Sequence, residues 1–167
     1  MKIALGALGV LLTIVVAVVA VGWTLPVTHR ASREATYGLP SDSLYAIITD
    51  VERFPAWRSS VQHVERLETE NGVPRYREIG DDGTILYAIE ENRPPLRMVT
   101  RIADKSLPFG GKWTYELHPV QGGTTLRITE DGEVFNPIFR FMSRFVFTHH
   151  RTIDRYLGDL ERRVSAR

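Results

Sequence analysis

The chain has 167 residues, 43% of them hydrophobic, with 21 Lys and Arg against 20 Asp and Glu and no cysteine. That length suits one domain with a real core, and the lack of cysteine excludes disulfides, thiolate metal sites and a cysteine nucleophile. The near balance of charge hides a division: residues 24–136 hold 13 Lys/Arg against 17 Asp/Glu, and residues 137–167 hold 7 against 3.

From Ile3 to Trp23 no side chain is charged. As a helix this run would reach about 31 Å at about 1.5 Å per residue, close to a bilayer core of about 30 Å. A cleaved signal peptide has a shorter apolar region, and Val18-Val19-Ala20 is only a passable cleavage site. A buried soluble helix would need an apolar shell on every side. The reading taken is a single-pass transmembrane anchor over residues 1–25, with Trp23 at the headgroups and Pro26 ending the helix. The flanking charges, Lys2 against Arg30 and Arg33, nearly tie. The short Met-Lys head tilts the reading toward a domain on the exported side.

One domain is expected over residues 28–164. Thr28–Tyr37 reads as a first strand. Pro40-Ser41-Asp42 punctuates a helix start, and Leu44, Ile47, Ile48 and Val51 follow at helical spacing. Phe54-Pro55-Ala56-Trp57 gives a second short helix or turn, with Trp57 either closing one end of a cavity or packing a helical corner. From Val61 onward strands alternate with turn signals at Asn71-Gly72, Asp82-Gly83, Pro94-Pro95 and Gly122-Gly123. The inward sets are Ile85, Tyr87 and Ile89; Leu96, Met98, Thr100 and Ile102; Trp113, Tyr115 and Leu117; and Leu126 with Ile128. One apolar and one polar face mark an antiparallel, half-solvated sheet. Phe109-Gly110-Gly111 reads as an ordinary turn in preference to a mobile lip.

Asn136-Pro137 is an N-cap followed by proline at the first helical position. One long helix to about Arg163 is expected. Its broad apolar face holds Ile138, Phe141, Met142, Phe145, Val146, Ile153, Tyr156, Leu157 and Leu160. A strand, two helices, about six strands and a C-terminal helix make an α+β arrangement.

The stretch Leu39-Pro40-Ser41-Asp42-Ser43-Leu44-Tyr45-Ala46-Ile47-Ile48-Thr49-Asp50 with Phe54-Pro55-Ala56-Trp57 resembles the start of the SRPBCC, or START-like, superfamily. Phe109-Gly110-Gly111-Lys112-Trp113-Thr114-Tyr115-Glu116-Leu117 and Gly122-Gly123-Thr124-Thr125-Leu126-Arg127-Ile128-Thr129-Glu130 resemble two of its strands. The resemblance is to the polyketide cyclase/dehydrase-like branch, and it covers Thr28 to about Val164. It implies a helix-grip fold: a curved antiparallel sheet around a long C-terminal helix, here preceded by the transmembrane helix. It also implies a cavity for hydrophobic small molecules or lipids. Some members of the superfamily are cyclases or aromatases and many only bind or carry, so the fold gives a ligand class without a reaction.

The candidate ligand-binding residues are Tyr87, Thr100, Trp113, Tyr115, Glu130, Met142, Phe145 and His149. Glu130 shares strand parity with Leu126 and Ile128, and His149 falls amid the apolar helix face. Together they are the candidate catalytic pair, an acid and a base in one cavity. Against this stand a solvated Glu130 beyond a bulge at Asp131-Gly132 and a histidine satisfied by one structural hydrogen bond. His150, about 100° away around the helix, cannot readily share a metal with His149. The chain has no P-loop, dinucleotide fingerprint, HExxH or GxSxG, so neither a cofactor nor a metal is expected.

Arg140, Arg144, Arg151, Arg155 and Arg162 fall on the helix face opposite the apolar one. They would meet anionic lipid headgroups, or form a solvated face paired with acids such as Asp154 and Asp159. No aromatic residue interleaves the stripe, which disfavours nucleic acid. The functional expectation is membrane-anchored binding of a hydrophobic small molecule or lipid. The alternatives are a cyclase- or aromatase-like enzyme using the same cavity, and a filled interaction scaffold without one.

Overall fold

In the computed structural model the backbone is described for residues 2–145 and 150–166, and the side chains for the same residues other than 2–5, 7 and 8. Helix α1 (Lys2–Thr24) leads into strand β1 (Thr28–Tyr37). Helix α2 (Ser41–Thr49) and a 3-10 turn (Val51–Ala56) follow. Six strands come next: β2 (Val61–Glu70), β3 (Val73–Gly80), β4 (Gly83–Arg93), β5 (Arg97–Ile102), β6 (Phe109–Val120) and β7 (Gly123–Val134). Helices α3 (Pro137–Phe145) and α4 (Arg151–Ser165) complete the chain.

The strands form one antiparallel sheet in the order β1-β7-β6-β5-β4-β3-β2. Each neighbour from β2 to β7 is the next strand in sequence, so short turns suffice. Asn71 and Gly72 both take positive φ, 52° and 80°, the backbone a two-residue hairpin needs to match strand twist. The exception is β1, which pairs with β7 at one edge, Thr28 opposite Glu133 and Tyr37 opposite Thr124, while α2 and the 3-10 turn carry the chain across to β2 at the other edge.

The curved sheet closes on α2 and α4. Leu44 and Ile48 of α2, Leu117, Leu126 and Ile128 of the sheet, and Ile153 and Leu160 of α4 share one core. A second core joins Val51 and Phe54 of the 3-10 turn to Val61, Val64 and Tyr76. Polar ties fix α4 to its neighbours: Tyr37 Oη donates to the Leu157 carbonyl at 3.1 Å. Asp159, 1% exposed, accepts from Ser59 N at 2.7 Å and Ser59 Oγ at 2.9 Å, and also meets Arg162.

Four expectations are corrected. Among the described residues no helix is long and apolar enough to cross a membrane, so the single-pass membrane localisation is not supported. Helix α1 itself runs from Lys2 to Thr24. Its last turns are engaged in packing. A Cβ on Gly22 would fall 2.0 Å from the Pro137 carbonyl oxygen, and the Arg140 guanidinium lies 5.7 Å from the centre of the Trp23 ring.

Second, the C-terminal helix is two helices, with His150 in a turn before α4. Third, the arginine stripe is not a free surface for headgroups. Arg140 is buried and donates to the Leu25 and Phe135 carbonyls, each at 3.1 Å. Arg155 pairs with Asp81 and Asp82 in the β3–β4 turn, at 3.1 and 3.5 Å. Arg162 pairs with Asp159, while Arg144 and Arg151 are exposed on different helices. Fourth, Phe109-Gly110-Gly111 opens strand β6, and Leu96 is 52% exposed in the turn before β5.

Leu160 is wholly buried where α4 meets both α2 and the sheet. Leu160→Ala is expected to cost about 2–5 kcal/mol by lost burial and a residual cavity. Urea unfolding followed by circular dichroism measures it.

Candidate functional site

Between the concave sheet and α4 lies a cavity of about 330 Å³. Its walls come from the inward parity of β3 to β7 and from one face of α4. Tyr76 and Tyr87, on adjacent strands, stack with centroids 5.2 Å apart and planes at 19°. Trp113 and Tyr115, two residues apart on β6, lie 6.1 Å from one another. Tyr156 of α4 meets both, at 5.9 and 5.8 Å. Trp57 lines no part of this cavity. It packs edge-on against Phe54 at 5.6 Å and Tyr156 at 5.3 Å, as a corner between the 3-10 turn and α4.

Arg58 enters this aromatic setting from the loop after the 3-10 turn. It forms a bidentate ion pair with Glu78 of β3, at 2.6 and 3.1 Å, with both side chains largely buried (13% and 12% exposed). The guanidinium stands 4.8 Å from the Phe54 ring centre and 5.2 Å from that of Tyr156. Burial alone would ease a proton off Arg58, but the Glu78 carboxylate outweighs it and holds the guanidinium charged more firmly than usual. Burial pushes the hydroxyls of Tyr76, Tyr87, Tyr115 and Tyr156 well above the ordinary tyrosine range. They are neutral hydrogen-bonding groups at physiological pH and not phenolates.

The β1–β7 part of the wall is more polar. Glu130, its side chain 21% exposed, has His29 Nε2 3.6 Å from its Oε1. His29 belongs to β1 and sits opposite Gly132 of β7. A Cβ at Gly132 would lie 2.2 Å from the imidazole, so a side chain there would displace the ring from this position. Lys112, Asp82 and Glu133 also line the cavity.

Tyr87, Thr100, Trp113, Tyr115 and Glu130 line the cavity. Met142 and Phe145 do not: both belong to α3, where Phe145 is 62% exposed, and α3 packs on the end of α1 and away from the cavity. His149 lies outside the described residues, and with it the Glu130–His149 pair. Arg58, Glu78, Tyr76, Tyr156 and His29 are cavity residues that sequence reasoning missed. For Tyr156 the signal was present, since its place on the apolar helix face pointed inward.

A family model described as polyketide cyclase / dehydrase and lipid transport matches residues 28–165. No curated protein matches the sequence. Among solved structures, a START superfamily protein from Mycobacterium smegmatis is 18% identical, with a TM-score of 0.66 over 83% of this chain and 98% of that one. A protein from Thermus thermophilus is 23% identical, with a TM-score of 0.66 over 83% and 97%. The Zhui aromatase/cyclase from a Streptomyces species is 17% identical, with a TM-score of 0.61 over 82% and 96%. At these identities the likeness is one of fold.

Two measurements test the site's electrostatics. The six tyrosines of the chain all have hydroxyls raised above their ordinary range, chiefly by burial. An unfolded chain therefore loses phenolic protons near pH 10 that the folded one keeps, so stability is full below that pH and falls as pH rises above it. Phenolate absorbance near 295 nm is expected to appear together with loss of ellipticity. A rise near pH 10 in protein that stays folded contradicts the burial. Second, Glu78→Gln, which leaves Arg58 buried with half a partner, is expected to cost about 3 kcal/mol or more. The double change Arg58→Met with Glu78→Leu is expected to cost clearly less, as read by denaturant unfolding.

Proposed function

Because the chain belongs to the polyketide cyclase / dehydrase and lipid transport family, we propose that it binds a hydrophobic small molecule in the cavity between its sheet and α4. The observation that carries this reading is the cavity itself: about 330 Å³ left open in the middle of an aromatic wall. Interiors ordinarily pack to crystal-like density, and each unfilled space forfeits contact energy. A void of that size walled by rings has the dimensions and polarity of a small-molecule site.

The filled-scaffold reading loses its premise, since Trp113 and Tyr115 border the open space instead of plugging it. Binding takes precedence over a cyclase-like reaction for a chemical reason. Among the described residues, the charged groups deep in the cavity, Arg58 and Glu78, neutralise one another, and the remaining deep polar groups are neutral hydroxyls. Such a set orients a ligand, whereas proton transfer at a reacting carbon requires a group free to change its charge. His29 and Glu130, 3.6 Å apart on the wall, are the couple a proton-transfer reading would have to use.

Titration of the full chain with the apolar dye N-phenyl-1-naphthylamine tests the reading. Saturable, blue-shifted fluorescence is expected, with quenching of tryptophan emission through Trp113. Ile102→Trp, which places a large ring in the cavity, should weaken the dye by about tenfold or more while the protein stays folded. Equal binding to the filled variant would mean that the dye sits elsewhere and would overturn the assignment.

A further inference from the structure

Glu130 of β7 stands directly opposite Trp113 of β6, and both line the cavity. Opposed residues of an antiparallel pair share a face, with Cβ atoms about 5 Å apart. The carboxylate is therefore set beside the indole. The Glu130 side chain keeps 21% of its surface exposed, so it is not sealed off from the space it lines.

This carboxylate is short of partners. His29 Nε2 lies 3.6 Å from its Oε1, beyond hydrogen-bond distance. Among the described residues neither oxygen accepts a hydrogen bond. A carboxylate that gives up most of its hydration without gaining a hydrogen bond is costly, and such a group in a native wall calls for a reason. Its neighbours on the wall are otherwise engaged. Arg58 holds Glu78, Arg155 holds Asp82, and the Tyr115 hydroxyl is hydrogen-bonded to Thr100. Glu133 and Lys112 also line the cavity, but they stand on the alternate parity of β7 and β6.

We propose that Glu130 is the polar anchor of the cavity: its carboxylate accepts a hydrogen bond from an O–H or N–H group on the edge of a flat, ring-bodied ligand that lies along Trp113. The proposal rests on the reading that the cavity binds a hydrophobic molecule, and it adds the group which that molecule must carry. Trp113, with Tyr115 beside it at 6.1 Å, supplies stacking area for the flat body. An edge substituent of a ring on Trp113 then faces the carboxylate opposite. A bond from a neutral donor to an ionised acceptor is about twice as strong as one between neutral groups, so one such contact suffices to set the ligand's orientation.

Two naphthalenes that differ only in the donor test this by calorimetric titration of the full chain at pH 7. 2-Naphthol carries an O–H; 2-methoxynaphthalene keeps the oxygen, lacks the proton and is the more apolar of the two. The naphthol is expected to bind about tenfold more tightly, the advantage of one charge-assisted hydrogen bond. Glu130→Leu should erase that preference while the ether still binds. Glu130→Gln, which keeps the shape and a neutral acceptor, should leave a preference of about threefold. It serves on its own if the leucine variant fails to fold. A naphthol preference that survives Glu130→Leu, or one that stays at its full size in Glu130→Gln, would overturn the proposal. If the parent binds both compounds alike, the reading of the cavity stands and the anchor fails. If it binds neither, both fail together.

Discussion

The buried ion pair between Arg58 and Glu78 is the constraint around which the interior is arranged. A guanidinium in an aromatic cavity is tolerable only with a carboxylate in bidentate contact, and that carboxylate comes from β3. The pair therefore fixes the loop after the 3-10 turn against the sheet. Phe54 and Tyr156 close on the guanidinium from the turn and from α4. Three elements distant in sequence thus meet at one charged group, beside the space that no side chain fills. Adjacent Ser59 extends the same loop to Asp159 on α4, so the loop is pinned from both sides.

This arrangement explains how a cavity of about 330 Å³ survives in a small domain. Apolar walls alone would gain by collapsing on each other. Here the approach of α4 to the sheet is limited by large rings in contact, Tyr156 against Trp113 and Tyr115, and by the fixed guanidinium behind them. Where α4 continues past Tyr156 the rings give way to Leu157 and Leu160, and packing becomes complete. The same helix thus does two things along its length, holding the space open at one end and sealing the core at the other.

Much of this was legible in the sequence because it is local. Turn residues at Asn71-Gly72 and Gly122-Gly123 delimited the hairpins, and alternation placed Tyr87, Thr100, Trp113 and Tyr115 on the inner face. What escaped was set by pairing at a distance. Arg58 and Glu78 each look like surface charges, and only the fold makes them partners. His29 reaches the cavity wall because β1 pairs with β7 and finds Gly132 with no side chain in its way, a coincidence of register that neither segment announces. The single long helix was inferred from apolar periodicity, which is blind to a change of direction. Ile138, Phe141 and Phe145 continue the stripe of α4 on a wheel, yet they belong to α3, which turns to the end of α1. The apolar N-terminal run was read from its length, its lack of charge and its flanks, and its docking through Gly22 and Trp23 depends on contacts from α3.

The division between an acidic body and a basic tail acquires a structural meaning in the closed domain. Arg155 of α4 reaches Asp81 and Asp82 in the β3–β4 turn, and Asp154 meets Arg33 of β1. The helix is thereby bracketed by ion pairs to strands on opposite sides of the sheet. Those side chains are between 37% and 64% exposed, so each pair contributes about 1 kcal/mol or less. The energy of closure must come from Ile153, Leu157 and Leu160 beneath them, worth about 1.5–3 kcal/mol each when buried. The charges select where on the sheet the helix settles and the apolar face holds it there. Tyr156, one residue after Arg155, is thereby carried to the cavity wall, its ring packed against Trp113 and Tyr115.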